Sequence, residues 1–280
     1  MTERRPTEAS LESSQVLDEM SSSEILQLIH AEDGSAHAAV GAVLAPMTEA
    51  VEILTCALSG GGRWFNVGAG TSGRLGVLDA SEIPPTYGLP SRFVQGLVAG
   101  GDRALRSAIE GAEDDPVAGA LELEERGVTL GDVVVGLSAS GTTPYVLGAI
   151  ECADKLGART IAITCDPESP LAESVEISIA PAVGPEVVSG STRMKGGLAQ
   201  KMILTALSTA VMVRIGRVRG NHMTYISPVS SKLRGRAVRI LVELGGIDRE
   251  RARDLLRVTE GSVEAALQLL ETERRVAAER

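Results

Sequence analysis

Four short apolar runs, at residues 64–67, 93–98, 133–137 and 160–164, recur along this chain with a helical pattern between each and the next. Strands spaced this way cannot be joined by tight hairpins, so they pair in parallel, with the intervening helices covering both faces of the sheet. This predicts an α/β fold, a three-layer sandwich around a parallel sheet. Residues 175–180 and 186–188 are candidates for a further strand or two. Ahead of the sheet, Ser21 and Glu24 stand in capping-box spacing before Ile25, Leu28 and Ile29, which predicts one helix, and a second is expected over 36–58. The pair Pro84-Pro85 is expected to stop the helix after the first strand, and a long apolar-periodic helix is expected over 197–215.

The first 20 residues are polar and poor in large apolar groups, so residues 1–20 read as an arm that needs a partner surface to become ordered. The same argument predicts a homodimer, since a neighbouring subunit can receive such an arm. The α/β domain with its leading helices is placed at 21–228. Beyond Ser230 no strand pattern remains. Three short amphipathic helices, separated by Gly245-Gly246 and Gly261 with Ser262 in an N-cap position, make a small C-terminal helical module over 229–280.

Lys and Arg number 27 against 37 Asp and Glu, a net charge of −10, and only six aromatic residues occur (one Trp, three Tyr, two Phe). An acidic chain without stacking platforms is a poor partner for nucleic acid. Cys56, Cys152 and Cys165 are widely spaced, odd in number and without a CxxC pair, which suggests neither a disulfide framework nor a zinc cluster and suits a reducing cytoplasm. His30, His37 and His222 show no ligand spacing, so no metal is expected. The start of the chain has no apolar signal region, and the uncharged stretch 133–150 is interrupted by Ser, Thr, Pro and Gly. Secretion and membrane spanning are therefore not expected.

Chemistry concentrates where strands pass into helices. Gly68-Ala69-Gly70-Thr71-Ser72-Gly73 follows the first strand and opens a helix, where free N–H groups and the helix dipole favour an anion or a hydroxyl. It has the form GxGxxG, but a dinucleotide site also needs an acidic residue at the end of the next strand, and the nearest is Asp102, beyond Gly100-Gly101. A second joint, Ser138-Ala139-Ser140-Gly141-Thr142-Thr143, offers four hydroxyls and a Gly before Pro144, a helix start. That set suits a phosphate monoester, and the alternative is a turn satisfying its own backbone. A third, Ser189-Gly190-Ser191-Thr192-Arg193-Met194-Lys195, adds hydroxyls and two cations, or is only a capped helix start. The candidate ligands are Gly70, Thr71, Ser72, Ser138, Ser140, Gly141, Thr142, Thr143, Ser191 and Lys195, and their ligand is a phosphorylated, hydroxyl-rich small molecule.

Two carboxylates stand near these joints. Glu82 precedes the double proline, and a carboxylate near a helix C-terminus faces an unfavourable dipole, which suits an acid/base role. Glu113 lies in Glu110-Gly111-Ala112-Glu113-Asp114-Asp115-Pro116, where Asp115 reads as the N-cap of a helix with Pro116 at its first position. Either glutamate can equally be a solvated surface charge.

The stretch from Gly68 through Arg74-Leu75-Gly76 and Leu78-Asp79-Ala80-Ser81-Glu82 to Pro84-Pro85-Thr86-Tyr87-Gly88 closely resembles the signature of N-acetylmuramic acid 6-phosphate etherases. So do Ala99-Gly100-Gly101, Glu110 to Asp114, Ala139-Ser140-Gly141 with Thr143-Pro144-Tyr145-Val146, Glu186-Val187-Val188, Ser191 to Lys195 and Ala199-Gln200-Lys201. The resemblance implies the sugar isomerase (SIS) fold and a C-terminal module like a ubiquitin-associated (UBA) domain. It also implies a carbon–oxygen lyase of cell-wall recycling, cleaving the C3 lactyl ether of N-acetylmuramic acid 6-phosphate to N-acetylglucosamine 6-phosphate and D-lactate without metal, nucleotide or other cofactor. By that resemblance Glu82 protonates the departing lactate oxygen and Glu113 abstracts the C2 proton of the opened sugar.

The chain also departs from the pattern. Ile83 stands where Cys usually follows the Ser-Glu pair, Thr142 where Arg is frequent and Thr205 where Asn is typical. After Gly220-Asn221 the run His222 to Pro228 replaces the family's Met-Val-Asp, and no Asn follows Thr2-Glu3. A SIS-fold lyase or isomerase for a different phosphosugar therefore stays open as an alternative, as does a phosphosugar-binding regulator. Both carboxylates argue against the regulator, since a sensor needs phosphate loops but no acid/base pair.

Overall fold

The computed structural model describes residues 5–226 and 231–279. They fall into two compact units, one with the described residues up to Ser81 and Ser91–Val211, the other with Glu82–Pro90 and the described residues from Met212 onward. The expected boundary at 228/229, the departures at 227 and 228, and residues 1–4 of the arm lie outside the described residues.

The first unit opens with α1 (Ser22–Gly41) and α2 (Leu44–Ser59), then alternates strand and helix, the last parts of the helices that end at Tyr87 and Arg214, from Glu82 and from Met212, being counted in the second unit. The order is β1 (Trp64–Gly68), α3 (Gly70–Tyr87), β2 (Val94–Val98), α4 (Pro116–Glu125), β3 (Val133–Leu137), α5 (Pro144–Lys155), β4 (Arg159–Ile163), α6 (Pro170–Glu173), β5 (Ile177–Ile179) and α7 (Lys195–Arg214). The strands form one parallel sheet in the order β2-β1-β3-β4-β5. On one face Phe65, Val67, Leu97 and Val134 pack against Tyr145, Val146 and Ile150 of α5 and Leu123 of α4, all buried. α7 is long and apolar enough in composition to cross a membrane. Here it is a core helix, burying Ala199, Ile203, Leu204, Leu207 and Val211 completely.

β1 and β3 are clamped at their starts by one carboxylate. Asp132 accepts from the Arg63 backbone N–H (2.8 Å), from its guanidinium (2.6 and 3.1 Å) and from the Thr129 N–H (2.9 Å). Burial opposes the Asp132 charge, but the bonds from Arg63 and Thr129 outweigh it and hold its pKa below the usual carboxylate value. A pKa depressed by folding stabilises the protein above the unfolded value and ceases to do so as pH falls through the folded one. Asp132→Asn is expected to cost about 1–3 kcal/mol at neutral pH. Urea unfolding should show that gap to wild type narrowing below about pH 4, and a gap unchanged by pH contradicts this account.

Three details depart from the sequence expectation. Residues 186–188 form no strand. The break between the leading helices falls at Ala42-Val43, next to Gly41, and Gly34 is tolerated inside α1, where an added Cβ would meet nothing within 4 Å. The prolines do not stop α3, which continues to Tyr87 with the Gly88 N–H bonded to the Pro84 carbonyl at 3.0 Å. A proline's fixed φ is itself helical, and near a helix end the lost N–H bonds are few. The capping box of Ser21 and Glu24 is present.

From residue 5 the arm lies in short turns against its own chain. It makes short 3-10 turns at Pro6–Glu8, Glu12–Ser14 and Leu17–Glu19. It buries Thr7, and its Ala9 carbonyl accepts from the Ser189 hydroxyl at 3.2 Å.

In the second unit β6 (Val218–Arg219) and β7 (His222–Met223) form an antiparallel pair, followed by α8 (Ser231–Gly245), α9 (Arg249–Val258) and α10 (Val263–Ala278). Ile240, Leu241, Leu255, Val263, Leu267 and Leu270 make its core. Asp248 caps α9 and Ser262 caps α10.

Candidate active site

The joint between β3 and α5 carries a connected set of hydroxyls. Ser138 Oγ lies 2.8 Å from Thr143 Oγ1 and 3.4 Å from Ser140 Oγ, which lies 3.0 Å from Thr142 Oγ1. Ser138 and Ser140 also accept from the N–H groups of Gly141 (3.1 Å) and Thr142 (3.4 Å). The loop thus satisfies part of its own backbone, the modest alternative to a ligand site. Yet Thr143, the N-cap residue of α5, makes no capping bond with its side chain, so this helix start keeps its positive dipole end uncapped. Gly141 is required here. Its φ is +66°, and a Cβ on it would lie 2.0 Å from Ser169 Oγ.

The other two joints meet this loop through the start of α7. A side-chain carbon on Gly196 would stand 3.2 Å from the Ala139 methyl, and one on Gly197 3.3 Å from the Thr71 methyl. Ser72 is buried and its hydroxyl donates to Gln200 Oε1 of α7 at 2.8 Å. Gly70 begins α3 and is exposed, Thr71 is half-buried, and Ser191 is half-buried in the loop before α7. Lys195 is 2% exposed and its ammonium is paired with Glu32 of α1, so its charge is already met within the protein.

Glu113 is exposed on a 3-10 turn, Ala112–Asp114, packed against α5. Asp115 caps α4 immediately afterwards, accepting from Val117 and Ala118. α4 crosses α5 backbone to backbone: a Cβ on Gly119 would lie 2.0 Å from the Tyr145 carbonyl oxygen, and one on Gly148 2.0 Å from that of Pro116. This crossing fixes the turn bearing Glu113 against the helix whose N-terminus carries the hydroxyls. The Tyr145 hydroxyl donates to Glu122 at 2.5 Å, and burial, reinforced by that carboxylate, raises its pKa. Glu82 is exposed in the last part of α3 and belongs to the second unit.

Sequence reasoning missed Glu186. It is 1% exposed, and its two carboxylate oxygens accept from the N–H groups of Lys195 and Gly196, each at 2.9 Å. The Cys165 thiol is pushed up to about 12 by burial and by the charge of Glu186, which leaves it inert as a nucleophile. Among the described residues no three His, Cys, Asp or Glu side chains are placed to hold a metal. A cleft of about 960 Å³ in the second unit, edged by Arg234, Arg249 and Arg253, contains none of the predicted ligands and no Ser or Thr.

Residues 47–154 match the family described as the glucokinase regulatory protein N-terminal SIS domain, and residues 117–210 match the SIS domain. N-acetylmuramic acid 6-phosphate etherase of Pectobacterium atrosepticum is 48% identical over 254 residues, 91% of this chain and 84% of the relative. The chain belongs to the N-acetylmuramic acid 6-phosphate etherase family. Another relative, the etherase of a Jannaschia species, is 48% identical over 261 residues, 93% of this chain and 83% of its own. The fold of this family member is that of the SIS domain. A phosphoheptose isomerase structure from Neisseria gonorrhoeae superposes with a TM-score of 0.52 at 20% identity, covering 68% of this chain and 98% of the other.

Proposed function

We propose that the protein cleaves the C3 D-lactyl ether of N-acetylmuramic acid 6-phosphate by elimination and hydration, yielding N-acetylglucosamine 6-phosphate and D-lactate. The observation that carries this is the identity of nearly half the residues to etherases along nine-tenths of the chain. The hydroxyl loop before α5, with the turn that presents Glu113 packed against the same helix, supports it. The 6-phosphate is held by Ser138, Ser140, Gly141, Thr142 and Thr143 at the α5 N-terminus. Gly70, Thr71 and Ser191 border it, while Ser72, tied to Gln200, and Lys195, tied to Glu32, fix the frame.

Glu113 takes the C2 proton, made acidic by the C1 aldehyde of the open sugar. The C2 electron pair forms a C2–C3 double bond as the C3–O bond breaks, and Glu82 protonates the leaving lactate oxygen. Water then adds at C3 and C2 is reprotonated. No redox agent takes part in this balance. A coupled assay for D-lactate tests the reading, and no release above that of Glu82→Gln overturns it. Incubation in heavy-oxygen water should label C3.

Ser140→Ala is expected to raise KM about ten- to hundredfold with a smaller change in kcat, because it removes one donor to a charged acceptor. Unchanged KM in both Ser140→Ala and Ser138→Ala takes the phosphate away from this loop. The protein acts in the cytoplasm as a homodimer. α1 supports the dimer, burying only Ala36 and Val40 and leaving Leu26 66% exposed. Light scattering that finds only a 29.2 kDa species at micromolar concentration excludes the dimer.

A further inference from the structure

The start of α7 has two features that attract anions, free N–H groups at a helix N-terminus and the Lys195 ammonium. Both are already occupied from within the protein. The N–H groups of Lys195 and Gly196 donate to the buried carboxylate of Glu186, and the ammonium is paired with Glu32. The next residues of the same helix touch both remaining joints, Gly196 beside Ala139 and Gly197 beside Thr71. By contrast the α5 N-terminus has no side-chain cap and is ringed by hydroxyls.

We propose that Glu186 is a positioning residue: its carboxylate takes the place of an anion at the α7 N-terminus, fixes that helix between the Thr71 and Ala139 loops, and so leaves the α5 N-terminus as the phosphate site. The proposal rests on the phosphosugar reading of the hydroxyl loop. Glu186 does not touch the sugar. It acts by holding Gly196 and Gly197, against which the two loops are packed. It also denies the phosphate a second anchorage at the α7 N-terminus.

Truncating Glu186 leaves two buried N–H donors facing a void the size of a small carboxylate, so formate should replace the missing group. Glu186→Ala is expected to raise KM roughly ten- to hundredfold with a smaller fall in kcat. Formate at tens of millimolar should recover at least part of the loss, while sodium chloride at equal ionic strength should not. Glu186→Gln keeps the shape but points an NH2 group at a donor, so it should show the same rise in KM without rescue by formate. Affinity for N-acetylglucosamine 6-phosphate, followed by calorimetry, should fall in parallel in both variants. A folded Glu186→Ala that formate does not improve overturns the proposal, as does wild-type KM in Glu186→Gln. If Glu186→Ala does not fold, the Gln variant alone decides. Wild type that binds N-acetylglucosamine 6-phosphate but releases no lactate sinks the etherase reaction and leaves the role of Glu186 to be read by calorimetry. Wild type that binds no phosphosugar sinks both.

Discussion

Glu113→Gln is expected to abolish exchange of the substrate C2 proton with solvent and, with it, the release of D-lactate, whereas Glu82→Gln should slow lactate release while some exchange persists. A base must act before a carbanion exists, and the acid is needed only to expel the lactate oxygen. Positioned acid/base groups contribute about 10²–10⁴-fold each, so both losses are large against any assay background. The glutamine variants keep size and shape, and Glu113 is exposed on its turn, so neither should perturb folding. Deuterium incorporation at C2 by Glu113→Gln at the wild-type rate assigns the base to another residue. Loss of exchange in Glu82→Gln with full exchange in Glu113→Gln reverses the two roles.

Gly148→Ala should be among the most damaging substitutions that leave every polar group untouched. The added methyl would stand 2.0 Å from the Pro116 carbonyl oxygen and 2.8 Å from its Cα. Both neighbours are backbone, so no rotamer change relieves the clash and α4 must move off α5. Overpacking of this kind sits at the upper end of its usual cost, about 3 kcal/mol, or roughly 6–12 °C in Tm for a domain of this size. Activity should fall further than stability alone explains, because the turn bearing Glu113 leads directly into Pro116. A Gly148→Ala protein with wild-type Tm and turnover would mean that the two helices are not held at this crossing.

The sheet was legible chiefly through its central strand, where Val133 to Leu137 is an apolar run buried throughout, and through the short, mostly apolar runs that flank it. The joints were legible as well, since Gly141 and Pro144 mark a turn and a helix start by backbone geometry alone. Local caps were readable for the same reason: Ser21 with Glu24, Asp115 and Ser262 each act within three residues. Contacts across long sequence distances were hidden. Lys195 reads as a free cation, yet its partner Glu32 is 163 positions away, and Glu186 caps α7 from nine and ten residues upstream, far outside a local capping motif. Its signal was present but weak: a lone acid inside the apolar Val183 to Val188 stretch. The arm's contact with its own chain was hidden for the same reason, since Ala9 meets Ser189 far along the sequence. The catalytic roles of Glu82 and Glu113 came from family resemblance alone, since spacing cannot tell an acid from a base.

The row of hydroxyls before α5 also bears on how the loop treats the ionisation of its guest. Ser138 and Ser140 each accept a hydrogen bond from a backbone N–H, and their hydroxyls are shared with Thr143 and Thr142, either partner able to donate, so the protons of the row can be redistributed toward an acceptor. Such a row can turn its donors toward an acceptor without moving the backbone. It has no positive charge of its own to distinguish ligands by attraction at long range. A phosphate monoester passes from monoanion to dianion near pH 6, and in doing so exchanges a competing donor for another acceptor. On the proposed phosphate assignment, the loop grips the fully ionised ester more firmly and loosens as the solution turns acidic, because the ligand itself titrates.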